Sequence, residues 1–150
     1  MSRDLSRLER ELLALSRHPG MGVLTTKAVD ADMLERSAYL LLSRLDEDGP
    51  LSIKELTDVF RLDTSTVNRH TAALLKAGLV DRIADPDGGI ARKFRISEDG
   101  ARRLAEHRRR VRAGLGRVVA DWSQDELAAF TAALAHFNAS IDAPRRPSDA

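Results

Sequence analysis

Between Leu62 and Arg82 the chain reads LDTSTVNRHTAALLKAGLVDR. Thr64, Ser65, Thr66, Asn68 and Arg69 crowd the first half of this segment. Their side chains are poor helix formers, useful at a cap or for contacts made outward. Hydroxyls and the amide both donate and accept, and the guanidinium donates through a planar fork. Without an activating base beside them, side chains of this kind suit contact with a polar surface. No nucleophile–base pair, glycine-rich phosphate loop or metal signature accompanies them, so no enzyme activity and no cofactor are expected.

The whole chain narrows the choice of polar surface. It has 150 residues, enough for one domain with a real core. The absence of cysteine excludes disulfides, thiolate metal sites and cysteine redox sensing. No apolar run approaches the roughly 20 residues of a membrane span. The opening MSRDLSRLERELL lacks a signal-peptide core, so a soluble cytoplasmic protein without a membrane partner is expected. The net charge of +1 argues against a strongly basic protein, yet the positive charge is clustered. Residues 51–96 hold eight Lys/Arg against six Asp/Glu, and residues 102–117 hold seven arginines against the single acid Glu106. One such cluster alone would read as a solvated helix face. Clustering is also what a nucleic-acid footprint requires.

The elements that must position these groups follow from periodicity and punctuation. Leu5, Leu8, Leu12 and Leu15 predict an amphipathic helix over about 3–17, stopped by His18–Gly20. Residues 19–32 are ambiguous. Leu34, Ala38, Leu41, Leu42 and Leu45 form the apolar stripe of a second helix, closed by Gly49 and Pro50. Ser52 and Glu55 have capping-box spacing and start a short helix carrying Ile53, Leu56, Val59 and Phe60. After a tight turn at residues 61–63, Asp63 is placed to cap the next helix. There Val67, Thr71, Leu74 and Leu75 face inward, while Ser65, Asn68, Arg69 and Ala72 lie on or near the opposite face. Gly78 ends it. LVDRIA at 79–84 and RKFRI at 92–96 alternate as two half-buried strands, joined through the turn-forming DPDGGIA. Ser97, followed by Glu98 and Asp99, opens a helix running to about Ala120. A second capping box at Ser123–Glu126 starts a last helix through Leu127, Phe130, Leu134 and Phe137. The end of the chain, from about residue 141 to 150, reads as a disordered tail.

Helix, three-residue turn, helix and hairpin in this order predict a mainly α fold with a small β-hairpin wing. It is a winged helix-turn-helix with further helices at both ends. In that motif the second helix of the pair enters the major groove of DNA and its N-terminal residues meet base edges. Asparagine pairs bidentately with adenine and arginine with guanine. Serine and threonine suit phosphate oxygens. DTST is also simply a good N-cap, and the two readings are compatible.

At this level of detail the chain resembles the MarR family of transcriptional regulators. The resemblance covers about residues 33–140. It rests on GPLSIKEL, on LDTSTVNRHTAALLKAGLVDR, on the acidic DPD before the wing turn, and on ISEDG opening a long helix. It implies a regulator, in many cases a ligand-responsive repressor, that binds a pseudo-palindromic double-stranded operator as a homodimer. Residues 33–97 would form the DNA-binding lobe, and residues 3–32 and 98–140 the helical dimerisation region. Leu115, Val118, Val119, Trp122, Leu127, Phe130, Leu134 and Phe137 would supply its apolar surface. The expected DNA contacts are Ser52, Lys54, Thr64, Ser65, Thr66, Asn68, Arg69, Arg92 and Lys93, with the arginines near 108–112 as further phosphate ligands.

The resemblance also implies a small aromatic effector between the dimer helices and the DNA-binding lobe. Met33, Tyr39, Leu40 and Trp122 would line that cleft, or else belong to the ordinary core. Many relatives carry arginine at the wing tip, whereas this chain has Gly88, Gly89 and Ile90 there, with Arg92 and Lys93 as the nearest bases. His18, His70, His107 and His136 lack metal-like spacing, so no metal site is expected. The alternative reading is a winged helix used only for protein–protein contact, without sequence-specific DNA binding.

Overall fold

The structure, a computed structural model, describes residues 3–18 and 34–143. The chain divides into two units, residues 1–112 and 113–150. In chain order the elements are α1 (Ser6–Arg17), α2 (Arg36–Asp48), β1 (Leu51–Ser52), α3 (Ile53–Phe60), α4 (Thr64–Lys76), β2 (Val80–Ile83), β3 (Lys93–Ile96), α5 (Glu98–Val118) and α6 (Gln124–Asp142).

The expected caps are present. Ser52 Oγ accepts the Glu55 N–H at 3.2 Å, and Glu55 Oε2 accepts the Ser52 N–H at 2.7 Å. Ser123 and Glu126 repeat the exchange at 3.1 and 2.9 Å. Asp63 Oδ1 accepts the Thr66 N–H at 3.2 Å and starts α4. At the other end of α4, Gly78 sits at φ +73°, a conformation that favours glycine. The Leu79 N–H then returns to the Leu74 carbonyl at 2.9 Å, satisfying an otherwise orphaned acceptor. Between α3 and α4 it is Arg61, at φ 53°, that makes the turn.

The sheet contains the expected two-stranded hairpin, β2–β3, and adds a third strand to it. It has three antiparallel strands in the order β1-β3-β2, with Leu51 opposite Phe94 and Val80 opposite Ile96. β1 is two residues long, too short to show alternation in the sequence. Its pairing with β3 ties the start of α3 to the wing. Phe94, Leu42, Leu56, Leu104 and Val67 are the largest fully buried side chains. They bring α2, β3, α3, α5 and α4 into one core. Leu104 belongs to that core, so the first half of α5 packs as part of the winged lobe, beyond residue 97. Inward-facing Thr71 is buried because its hydroxyl donates to the Val67 carbonyl at 2.9 Å.

The ISEDG segment fastens α5 to the end of α4. The Ser97 hydroxyl donates to the Gly78 carbonyl at 2.6 Å and accepts the Gly100 N–H at 3.0 Å. Gly100 lies so close to Leu79 that an added Cβ would overlap the Leu79 carbonyl oxygen.

The terminal helices are built differently. No residue of α1 or α6 is buried. Leu5 at the N-cap of α1, Leu8, Leu12 and Leu15 on it, and Phe130, Leu134, Phe137 and Ile141 on α6, are all exposed. Trp122 meets Phe130 edge-on, ring centroids 5.4 Å apart. The ambiguous stretch 19–32 and the tail from residue 144 lie outside the described residues; residues 141 and 142 continue α6.

Candidate nucleic-acid interface

The first turns of α4 display the polar residues on its outer side. Val67, Thr71 and Leu74 are buried, whereas Thr64, Ser65, Asn68 and Arg69 are exposed and Thr66 is half-buried. The two faces follow from helical periodicity alone. Asp63 organises the start of this surface. The Ser65 hydroxyl donates to Asp63 Oδ2 at 3.0 Å, and bonds from Thr66 and Ser65 hold the Asp63 carboxyl below the usual carboxylate range. Asn68 and Arg69 have no side-chain hydrogen bond or ion pair among the described residues. Their full donor and acceptor capacity is available to a partner.

Basic residues around the helix fall into two groups. Lys54 on α3 and Arg92 beside the wing are exposed, and neither forms an ion pair among the described residues. Lys93 is placed otherwise. Its ammonium lies 3.3 Å from Glu55 Oε1 and 3.7 Å from Asp85 Oδ1, with 13% of the side chain exposed. Desolvation opposes its charge, but the Glu55 bond and the nearby Asp85 and Asp87 outweigh this and raise its pKa. The Glu55 carboxyl is lowered, first by the Ser52 N–H and then, against desolvation, by Lys93. Lys93 is therefore a strut between the start of α3 and the wing loop. Ser52 is buried, and its hydroxyl is occupied by the cap. Three arginines of the cluster on α5 are likewise engaged, while Arg112 is exposed. Arg108 pairs with Asp46 of α2 at 2.7 Å, while Arg109 and Arg110 hold Glu106 at 2.6 and 3.4 Å.

The wing loop is ordered by Asp85. Its Oδ1 accepts the Asp87 N–H at 2.9 Å, and its carbonyl accepts the Gly88 N–H at 3.0 Å with Gly88 at φ +84°. The DPD motif is thus turn chemistry, and Lys93 neutralises its first carboxylate. No local pattern in the sequence links Glu55, Asp85 and Lys93. They meet through strand pairing alone.

A cavity of about 270 Å³ lies beneath α4, lined by Arg36, Ser37, Leu40, Leu41, Phe60, Leu62, Val67 and His70. Among the residues expected to line an effector cleft, Leu40 lines this cavity. Tyr39 instead packs on His107 with ring centroids 4.4 Å apart, Trp122 packs on Phe130, and Met33 lies outside the described residues. His107 is buried. Its Nδ1 accepts the Leu34 N–H at 3.2 Å, which requires a neutral ring. Desolvation, then Arg110, lowers its pKa.

A helix pair with a capped, outward-polar second helix and a strand-paired wing defines a winged helix-turn-helix protein. Known proteins place it more narrowly. The MarR family model matches residues 34–88. An HTH-type transcriptional regulator of Bacillus subtilis, YxaD, is 38% identical over 105 residues, spanning 70% of this chain and 73% of that protein. The chain belongs to the MarR family of transcriptional regulators. Solved structures agree on the fold. A MarR family protein from Bacillus stearothermophilus has a TM-score of 0.70 at 24% identity, covering 92% of this chain and 93% of that one. The PcaV regulator from Streptomyces coelicolor, solved with its natural ligand, has a TM-score of 0.61 at 20% identity, covering 95% and 99%. Among the described residues no helix is long and apolar enough to cross a membrane.

Proposed function

We propose that the protein is a ligand-responsive repressor that binds a pseudo-palindromic operator as a homodimer. The exposed face of α4 carries this reading: Asn68 and Arg69 stand one and a half turns past the Asp63 cap with no partner of their own. Asn68 takes the base-edge role and Ser65 and Thr64 the phosphate role. Lys54, Arg69 and Arg92, exposed on α3, on α4 and beside the wing and without an ion pair among the described residues, are the cations assigned to phosphates, whereas Lys93, Arg108 and Arg109 face carboxylates. Residues 33–97, joined by the first half of α5, form the reading lobe; residues 3–32 and the rest of 98–140 form the dimerisation region, and the end of the chain beyond α6 a tail.

The homodimer rests on the apolar faces of α1 and α6. On each helix by itself, exposed leucine or phenylalanine at helical spacing makes an apolar stripe of the kind that ordinarily meets a partner surface. Two-fold symmetry of the protein then matches that of the operator. The effector reading rests on the cavity beneath α4. Its walls are apolar with Arg36 and His70 at hand, and it shares Val67 and His70 with the helix that carries Asn68. A small aromatic molecule filling it would press on the reading helix from behind.

The test is selection of duplexes from a random-sequence library by the purified protein, followed by binding titrations. The expected result is enrichment of an inverted repeat. Asn68→Ala then costs about 1–3 kcal/mol and relaxes preference at one position of each half-site. With three phosphate-facing cations per protomer, the log–log salt slope is on the order of −5. Enrichment of no duplex would remove this reading in favour of a protein–protein module.

A further inference from the structure

Ser97 joins two helices that the chain itself connects only through the wing. Its hydroxyl donates to the Gly78 carbonyl at 2.6 Å, across 19 residues, and its N–H donates to the Leu79 carbonyl at 3.0 Å. Gly78 and Leu79 directly follow the Ala77 C-cap of α4. Their own N–H groups return to the Leu75 and Leu74 carbonyls inside that helix at 3.0 and 2.9 Å. The same Ser97 hydroxyl accepts the Gly100 N–H at 3.0 Å and so caps α5. Gly100 is buried against the Leu79 carbonyl, with no room for a Cβ. The end of α4 and the start of α5 therefore make one tight joint, held by a single hydroxyl and by the absence of a side chain at residue 100. One helix of the joint carries Asn68 and Arg69. The other runs on to Val118, past the end of the first unit at Arg112.

We propose that Ser97 is a positioning residue that sets which half-site spacing the dimer accepts, by fixing the angle between the reading helix α4 and α5. This rests on the operator reading above, in which the second half of α5 belongs to the dimerisation region. A helix of 21 residues is roughly 30 Å long, so a tilt of about 6–7° at its first turn moves its far end by about 3.4 Å, the rise of one base pair. Two-fold symmetry applies the same displacement to both protomers. Two half-sites are met together only when the two reading helices keep one separation. A joint with slack would accept neighbouring spacings. A joint fastened at the Gly78 carbonyl, the Leu79 carbonyl and the Gly100 N–H does not. Ser97 thus selects geometry and not bases. Asn68 decides which half-site is bound, and Ser97 how far apart two of them lie.

The experiment uses the full-length protein and a duplex that it has itself enriched from a random library, rebuilt with one base pair added to or removed from its centre. Wild type is expected to bind its own spacing roughly tenfold more tightly than either neighbour, the size of a typical mismatch effect. Ser97→Asp keeps an acceptor for the Gly100 N–H, since aspartate caps helices well, but its carboxylate cannot donate to the Gly78 carbonyl. It is expected to lose most of the spacing preference and to keep the base preference within each half-site, whereas Asn68→Ala does the reverse. Ser97→Thr keeps the hydroxyl and restores the wild-type spacing preference. Equal spacing discrimination by wild type and Ser97→Asp overturns the proposal while leaving DNA binding intact. So does a wild type that tolerates all three spacings, or a Ser97→Asp variant that weakens every spacing alike. If Ser97→Asp does not fold, Gly100→Ala forces the same joint from the α5 side, and an unchanged spacing preference there overturns the proposal. Enrichment of no duplex, or of a single unrepeated half-site, overturns the operator reading itself, and this one with it.

Discussion

Leu42 and Leu56 in the winged lobe have no exposed surface, while Phe130 and Leu134 in α6 keep 51% and 44% of theirs. Both regions are helical, both start on capping boxes, and both carry apolar residues at the same spacing. The lobe closes its core with a sheet, α2–α4 and the first half of α5. The described residues of α1 and α6 close nothing within their own units. Periodicity predicts which face of a helix is apolar, but not which surface meets it. When the chain supplies no surface, a second chain is the economical answer, and the proposed dimer follows from that difference.

Mutations should separate the two regions. Leu56→Ala is expected to cost about 2–5 kcal/mol, because the core around it cannot collapse to fill the space. Chemical denaturation should show this loss at every protein concentration. Phe137→Ala should act through association instead, lowering the denaturation midpoint more at low concentration than at high. An equal effect at all concentrations would mean that α6 is covered within its own chain.

Gly100→Ala probes the joint between α4 and α5. The methyl group gains about 1 kcal/mol of helix propensity but overlaps the Leu79 carbonyl, and overpacking of this kind costs typically 1–3 kcal/mol. A net loss of up to about 2 kcal/mol is expected by thermal or chemical denaturation. A stabilised variant would show that the joint yields freely.

The smallest expected effect is a pH dependence. His107 has a folded pKa below its ordinary 6.5, so the unfolded chain takes up the proton first. Its contribution to stability is complete above about pH 6.5 and is lost as pH falls below that value. His107→Gln keeps an acceptor for the Leu34 N–H but does not titrate. It should flatten the decline in denaturation midpoint between pH 7 and 5.5. An unaltered slope would assign the decline to other groups.

Local signals carried most of the fold. Capping boxes, Gly49 and Gly78, and the apolar stripes placed the described helices, and the face of α4 came out with Asn68 and Arg69 outward and Val67 and Leu74 inward. What escaped was long-range. β1 is too short to read, and Lys93 looked like a phosphate ligand because its carboxylates are 38 and 8 residues away in sequence. Arg108 looked like an unpaired member of a basic patch for the same reason, since Asp46 lies 62 residues before it. A charge count reads sign and spacing, whereas availability depends on which opposite charge the fold brings near. Of the described residues expected at an effector cleft only Leu40 lines the cavity under α4, whose walls α2, Phe60, Leu62 and α4 bring together from separate parts of the chain.

The strut from Glu55 through Lys93 to Asp85 has a consequence for how such a protein can change. It fixes the wing at its base, below the tip, and uses none of residues 88–91. Ile90 and Ala91 are therefore exchangeable without disturbing the helix start or the strand register beneath them, whereas Gly88, at φ +84°, and Gly89, against the Asp85 carboxylate of the strut, are not. Glu55 has no such freedom, since the same carboxylate begins α3 and anchors the wing, and its loss would unsettle both at once.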